Sequence, residues 1–152
     1  MRIRYTMLAI TINLNRAPKS AVEEEYLAGG LRRLVAVDLA TTANWKLLLP
    51  VKPAFEAVDH IDIDAIGIER GPKRHRMHVH FVVTIQHHGR VELNRRLENT
   101  WRVWVNERMA RYTNGSKVHI ELLNARHLNY VSKTSGGIRQ ILSVGAQEPV
   151  LF

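Results

Sequence analysis

The sequence contains no cysteine, so disulfide bonds and thiolate-ligated zinc sites are excluded. It also contains no apolar run near the roughly 20 residues that a membrane-spanning helix needs. The charged start Met1-Arg2-Ile3-Arg4 lacks the apolar segment and the cleavage site of a secretory signal peptide. We therefore expect an intracellular protein that does not enter a membrane.

What is present is an ordinary globular composition with an excess of positive charge. The 152 residues are 45% hydrophobic and 24% charged, which predicts a single domain over residues 1–152. The formal charge of +8 favours a polyanionic partner, of which nucleic acid is the commonest. The charge alone would also suit a ribosomal or membrane-surface protein, so it indicates binding and leaves the chemistry open.

The stretch from Ala65 to Ile85 predicts two antiparallel strands joined by a basic hairpin loop. Because side chains alternate between the faces of a strand, His78 and His80 share one face, and Val79 and Phe81 take the other. Glu69 lies near the end of the preceding strand. One carboxylate and two imidazoles are thus predicted to converge on a divalent metal. An isolated pair of this kind can also be a half-exposed surface pair.

Charged residues around this stretch suggest further contacts. Lys73, Arg74 and Arg76 lie in the hairpin loop, where we expect contacts to phosphate groups. Asp62 and Asp64 are either additional acidic ligands or part of a solvated face. The slip in alternation beside them predicts a bulge or a break in the strand. His87 and His88 are expected in a turn that ends the sheet element.

The first half of the chain predicts a strand, a helix and an insertion. Tyr5 to Asn15 is expected to form a central strand with both faces buried. Ser20 and Glu23 form a capping box that starts a helix. Its predicted apolar stripe consists of Val22, Tyr26, Leu27, Leu31, Leu34 and Val35. Residues 41–59 combine apolar side chains with two prolines, which predicts a packed insertion without an assigned role.

The second half predicts a long amphipathic helix over Leu93 to Tyr112, whose Trp101 and Trp104 we expect in the core. A strand follows over Lys117 to Leu123. A short helix after Asn124 would place Tyr130 and Lys133 on one face, since they are three residues apart, with His127 one turn earlier. Residues 140–144 are a candidate for a last strand.

This order of elements predicts an α+β fold with a ferredoxin-like antiparallel sheet and a βαββαβ core. Helices would cover one face of the sheet. The other face would stay open, and Glu69, His78 and His80 would converge on it.

Three separated stretches together resemble the rolling-circle replication initiators, the Rep branch of the His-hydrophobic-His (HUH) endonucleases. Residues 10–15, ITINLN, look like their first motif. Glu69 followed by His78-Val79-His80 looks like the metal motif, and residues 129–133, NYVSK, look like the Tyr-x-x-Lys helix. The match runs from Tyr5 to Lys133, and the insertion is its main departure.

The resemblance implies nicking and joining of single-stranded DNA at a replication origin through a 5′-phosphotyrosine intermediate. Tyr130 would be the nucleophile, assisted by Lys133, and Glu69, His78 and His80 would hold Mg²⁺ or Mn²⁺. The implied partners are single-stranded and stem-loop origin DNA, with host replication proteins as further candidates. The implied location is the host nucleus for a eukaryotic virus, or the cytoplasm for a plasmid or phage. The DNA-binding candidates are Asn13, Lys73, Arg74, Arg76, Arg126 and His127.

Two alternatives remain open. Single-tyrosine HUH transposases or relaxases share the His pair, although the transposases lack a lysine three residues after the tyrosine. A non-catalytic ferredoxin-like nucleic-acid-binding module would instead place aromatic side chains on the open face to stack on bases. Here the corresponding positions are His78 and His80.

Overall fold

The computed structural model describes residues 3–49, 51–52, 58–70, 76–88, 90–91, 95–122, 140–143 and 148–151. The helices in these ranges are α1 Ala21–Ala36, α2 Thr42–Leu48 and α3 Arg95–Arg108. The strands are β1 Ile3–Leu14, β2 Val51–Lys52, β3 Val58–Arg70, β4 Met77–His88, β5 Arg90–Val91, β6 Ser116–Leu122, β7 Gln140–Ser143 and β8 Glu148–Leu151. No helix in this part of the chain is both long enough and apolar enough to cross a membrane.

Four strands form one antiparallel sheet in the order β3-β4-β1-β6. The chain passes from β1 through α1 to β3 at one edge and returns through β4, which pairs with β1. It then passes through α3 to β6 on the other side of β1. These two interleaved crossovers are the ferredoxin-like plan, so the predicted α+β fold with a βαββαβ core is confirmed. The pairs β2-β5 and β7-β8 form two separate small sheets.

One face of the main sheet builds the core. Alternate residues of the two central strands pack against apolar residues of α1 and α3, which removes both sets of side chains from water. The central members of this cluster are Leu8, Ile10, Ile12, Val79, Phe81, Val83, Leu27, Leu31, Leu34, Trp101 and Val105.

The other face of the sheet carries no helix within the described ranges. β1 is central as predicted, but only its core-facing side is buried, because Tyr5 is 67% and Met7 42% exposed on the second side. The expectation of a strand buried on both faces is therefore wrong.

Helix α1 begins where the capping box predicted. The Ser20 hydroxyl accepts a hydrogen bond from the Glu23 backbone N–H at 3.1 Å. Contrary to the prediction, Val22 and Tyr26 are exposed and do not belong to the core. Val22 lies in the first turn, ahead of the buried residues, and the Tyr26 ring packs on Tyr112 with centroids 4.8 Å apart.

The insertion is packed, as predicted, where it is described. Trp45 of α2 is fully buried, and its indole N–H donates to the Leu39 carbonyl. The Trp101 ring meets it edge-on with centroids 5.1 Å apart, and the Trp101 N–H donates to the Leu48 carbonyl at 3.0 Å. Trp101 and Trp104 are both buried, which confirms their predicted core role.

The pairing of β3 with β4 contains the predicted bulge. The register shifts between Ile63 and Ala65, and the extra residue, Asp64, accepts a hydrogen bond from the Thr84 hydroxyl at 2.6 Å. The prediction of a turn at His87 and His88 is wrong. Both residues belong to β4, because β1 begins at Ile3 and pairs with this end of the strand.

Candidate metal centre

The sheet register brings the three predicted metal ligands together. Glu69 pairs directly with His78, and Gly67, which has no side chain, pairs with His80. Glu69 Oε1 lies 2.8 Å from His78 Nε2 and 3.8 Å from His80 Nε2. The two imidazole rings stand edge to face with centroids 4.7 Å apart.

These three residues can hold a metal ion. Their ligand atoms all lie within 4.8 Å of one another, a spacing compatible with a shared cation. Imidazole suits transition metals and carboxylate oxygen suits harder cations such as Mg²⁺ and Mn²⁺. Three protein ligands leave coordination positions open for a substrate, as in catalytic metal sites. The three predicted ligands thus form a group that could hold a metal ion.

Burial keeps one of the two imidazoles neutral. The side chains of His78 and His80 are only 10% and 8% exposed, whereas Glu69 is 25% exposed. Burial, followed by the neighbouring His78, lowers the pKa of His80 to about 4. At neutral pH the imidazole of His80 is therefore uncharged, which is the state in which a histidine binds a cation.

A hydrogen bond from the neighbouring strand orients His80. Thr11 of β1 pairs with His80, and its hydroxyl lies 2.8 Å from His80 Nδ1. When Nε2 binds the metal, Nδ1 carries the proton and donates a hydrogen bond to the Thr11 hydroxyl. Such a partner fixes both the tautomer and the ring orientation of a metal-ligating histidine. Thr11 lies in the first of the three sequence motifs, residues 10–15, but the sequence pattern alone indicated no role for its side chain.

Two arginines hold the end of the sheet that carries Glu69. Arg70, the next residue, donates to the Pro18 carbonyl at 3.2 Å and lies 3.9 Å from the Glu24 carboxylate of α1. Arg16 forms an ion pair with Glu23 at 2.9 Å and also donates to a backbone carbonyl after α3. These contacts tie the end of β3 and the chain after β1 to the helix layer, so Glu69 extends from a braced strand end.

The DNA-binding candidates fall into two groups. Asn13 is exposed and pairs with His78, so it lies directly beside the metal group, by which we mean Glu69, His78 and His80. Arg76 immediately precedes β4. The remaining predicted site residues lie outside the described residues: Lys73, Arg74, Arg126, His127, Tyr130 and Lys133. Asp62 and Asp64 are not part of the metal group among the described residues.

Comparison with known proteins gives no family assignment. The chain matches no protein-family model, no curated protein and no solved structure. Its function is therefore inferred from the geometry of the site and from the motifs in the sequence.

Proposed function

We propose that this chain is a metal-dependent endonuclease that nicks and rejoins single-stranded DNA at a replication origin, in the manner of the HUH-type Rep proteins that it resembles. The observation that carries the proposal is the convergence of Glu69, His78 and His80 within 4.8 Å on the sheet face without a described helix. The net charge of +8 supports a polyanionic substrate.

The proposed ligands suit Mg²⁺ or Mn²⁺. Bound there, either ion would neutralise negative charge that develops on the phosphodiester during attack. A divalent ion carries two positive charges and the Glu69 carboxylate one negative charge, so the occupied site would keep a net positive charge toward a phosphate group. The Thr11 hydroxyl would keep His80 in its ligating tautomer.

Tyr130 is the proposed nucleophile. Its phenolic oxygen would form a bond to phosphorus, and the bond from phosphorus to the 3′-oxygen of the preceding nucleotide would break. The phenol loses one proton and the departing 3′-oxygen gains one, so the step is balanced. A phenol has a pKa of about 10, so the reaction needs nearby positive charge, which Lys133 would supply. Because the product is again a phosphodiester, a later 3′-hydroxyl can reverse the step and close a circle.

The test is the formation of a covalent protein–DNA adduct. Wild-type protein is incubated with single-stranded stem-loop oligonucleotides and Mn²⁺, and the products are resolved on a denaturing gel. We expect an SDS-resistant adduct that is lost in Tyr130→Phe and in His78→Ala. Tyr5→Phe is the matched control, since Tyr5 is an exposed tyrosine on the sheet face that carries Glu69, His78 and His80, and this variant should form the adduct normally.

Other outcomes would select the alternatives. An adduct that persists in Tyr130→Phe would identify another nucleophile. Restored cleavage on mixing Tyr130→Phe with His78→Ala would show that two subunits complete one site, as expected for a transposase. DNA binding without any covalent product would leave a non-catalytic binding module.

A further inference from the structure

One row of side chains crosses the main sheet at the end that carries the metal group. Glu69 on β3 pairs with His78 on β4, His78 pairs with Asn13 on β1, and Asn13 pairs with Lys117 on β6. Neighbouring strands lie about 4.8 Å apart, so the Cα atoms of His78 and Lys117 are separated by about 10 Å. A lysine side chain spans a large part of that distance.

The alternation along β6 places Lys117 on the same face as the metal group. Its neighbours Ser116 and Val118 are buried, and the Ser116 hydroxyl donates to the Asn106 side chain of α3, on the opposite face. Lys117 itself is exposed, as is Asn13. Both side chains are therefore accessible from the side on which a substrate would reach Glu69 and His78.

The first acid that follows Lys117 on the same face of β6 already has a histidine partner. Glu121 lies two side chains away on the same face of β6 and pairs with His119, which also lies 3.8 Å from the Glu98 carboxylate. Within the described ranges, Lys117 takes part in no ion pair. Asn13 adds amide N–H donors without adding negative charge. This combination suits a phosphate oxygen rather than a cation.

We propose that Lys117 and Asn13 form a phosphate subsite beside the metal group, and that a single-stranded nucleic acid crosses the sheet along this row from β3 toward β6. The subsite would hold a phosphate adjacent to the one at Glu69 and His78. The inference rests on the proposed function for the identity of the ligand, but it concerns binding and not cleavage.

The test is the affinity for a fluorescein-labelled single-stranded oligonucleotide, measured by fluorescence anisotropy over a range of salt concentrations. Lys117→Ala should weaken binding in Mn²⁺ about three- to tenfold, the size of one charge-assisted contact. The slope of log affinity against log salt should become shallower by about 0.7, because one phosphate contact to a single strand is lost. Lys117→Arg should retain most of the affinity, and the Mn²⁺ affinity of Lys117→Ala, measured by calorimetry, should equal that of wild type.

Lys46→Ala is the charge-matched control, since Lys46 lies on α2 in the helix layer. This variant should change the affinity and the salt slope only by the general electrostatic effect of losing one positive charge. An equal effect of Lys46→Ala and Lys117→Ala would overturn the subsite, as would an effect of Lys117→Ala that is the same in Mn²⁺ and in EDTA. Lys117-dependent binding without a covalent adduct would reject the nicking function and keep the subsite. Normal nicking and normal affinity in Lys117→Ala would reject the subsite alone.

Discussion

At the scale of single residues, the hydrogen bond between Thr11 and His80 orients one of the three candidate metal ligands. We expect Thr11→Val to lower Mn²⁺ affinity about 10- to 100-fold, because His80 loses the partner that fixes its tautomer. Thr11→Ser keeps a hydroxyl and should retain near-normal affinity. Isothermal calorimetry with Mn²⁺ measures both.

The same two strands supply a matched control. The Thr6 hydroxyl also forms a hydrogen bond with a histidine of β4, His87, at 2.7 Å, but on the core-facing side of the sheet. Thr6→Val removes an equivalent hydroxyl and should leave Mn²⁺ affinity unchanged. If both valine variants lose affinity equally, the Thr11 effect is general destabilisation and the positioning role is wrong.

Also at this scale, His80 should make the metal-free protein sensitive to acid. Its folded-state pKa of about 4 is lower than the ordinary value of 6.5, so the unfolded chain binds the proton more readily. Stability is therefore lost as the pH falls from about 6.5 toward 4. The loss is up to about 3 kcal/mol, since one pKa unit corresponds to about 1.4 kcal/mol.

Urea unfolding in EDTA at a series of pH values between these limits measures the loss. His80→Gln has no imidazole and should show a flatter pH dependence. His60→Gln removes a histidine whose side chain is 59% exposed and should follow the wild-type curve. A wild-type slope in His80→Gln would contradict the assignment.

At the scale of elements, two adjacent glycines of α1 have opposite surroundings. A Cβ at Gly30 would lie 2.8 Å from the Tyr112 ring, whereas nothing lies within 4 Å of a Cβ at Gly29. Tyr112 cannot move freely, because its ring packs on Tyr26 and its backbone carbonyl accepts a hydrogen bond from Arg16 at 2.7 Å. We expect Gly30→Ala to lower the free energy of unfolding by about 1–3 kcal/mol.

Gly29→Ala should instead raise the free energy of unfolding by up to about 1 kcal/mol, because alanine favours the helix without a clash. Urea denaturation of the two variants compares them directly. Equal stability of the two would show that Tyr112 yields and that this contact does not fix the position of α1.

The elements also show which features of the fold and of the site can be predicted from the sequence alone. The alternation of β4 predicted that His78 and His80 share a face, and the ligand geometry follows from that alternation and one strand pairing. The role of Thr11 depends instead on which strand lies on the other side of β4, and local patterning does not determine sheet order. The error at His87 has the same origin, since its pairings with Arg4 of β1 and Val58 of β3 extend β4 to that point.

At the scale of the whole molecule, the two faces of the sheet have different roles. The helix-covered face buries the apolar side chains and provides most of the driving force for folding. The second face carries Glu69, His78, Thr11 and Lys117, none of which belongs to that apolar cluster. Changes at the metal centre should therefore affect ligand binding more than the stability of the metal-free fold.

This division leads to a prediction for metal binding and removal. A ligand that binds only the folded protein stabilises it by about 2.7 kcal/mol at a concentration 100 times its dissociation constant. We expect saturating Mn²⁺ to raise the thermal unfolding midpoint and EDTA to reverse the rise. His78→Ala should abolish the shift, whereas His60→Ala, which removes an exposed histidine of β3, should keep it. Differential scanning fluorimetry with and without Mn²⁺ is the measurement. A shift of wild-type size in His78→Ala would mean that the ion binds elsewhere on the chain, and the sheet face would then lose its assignment as the metal centre.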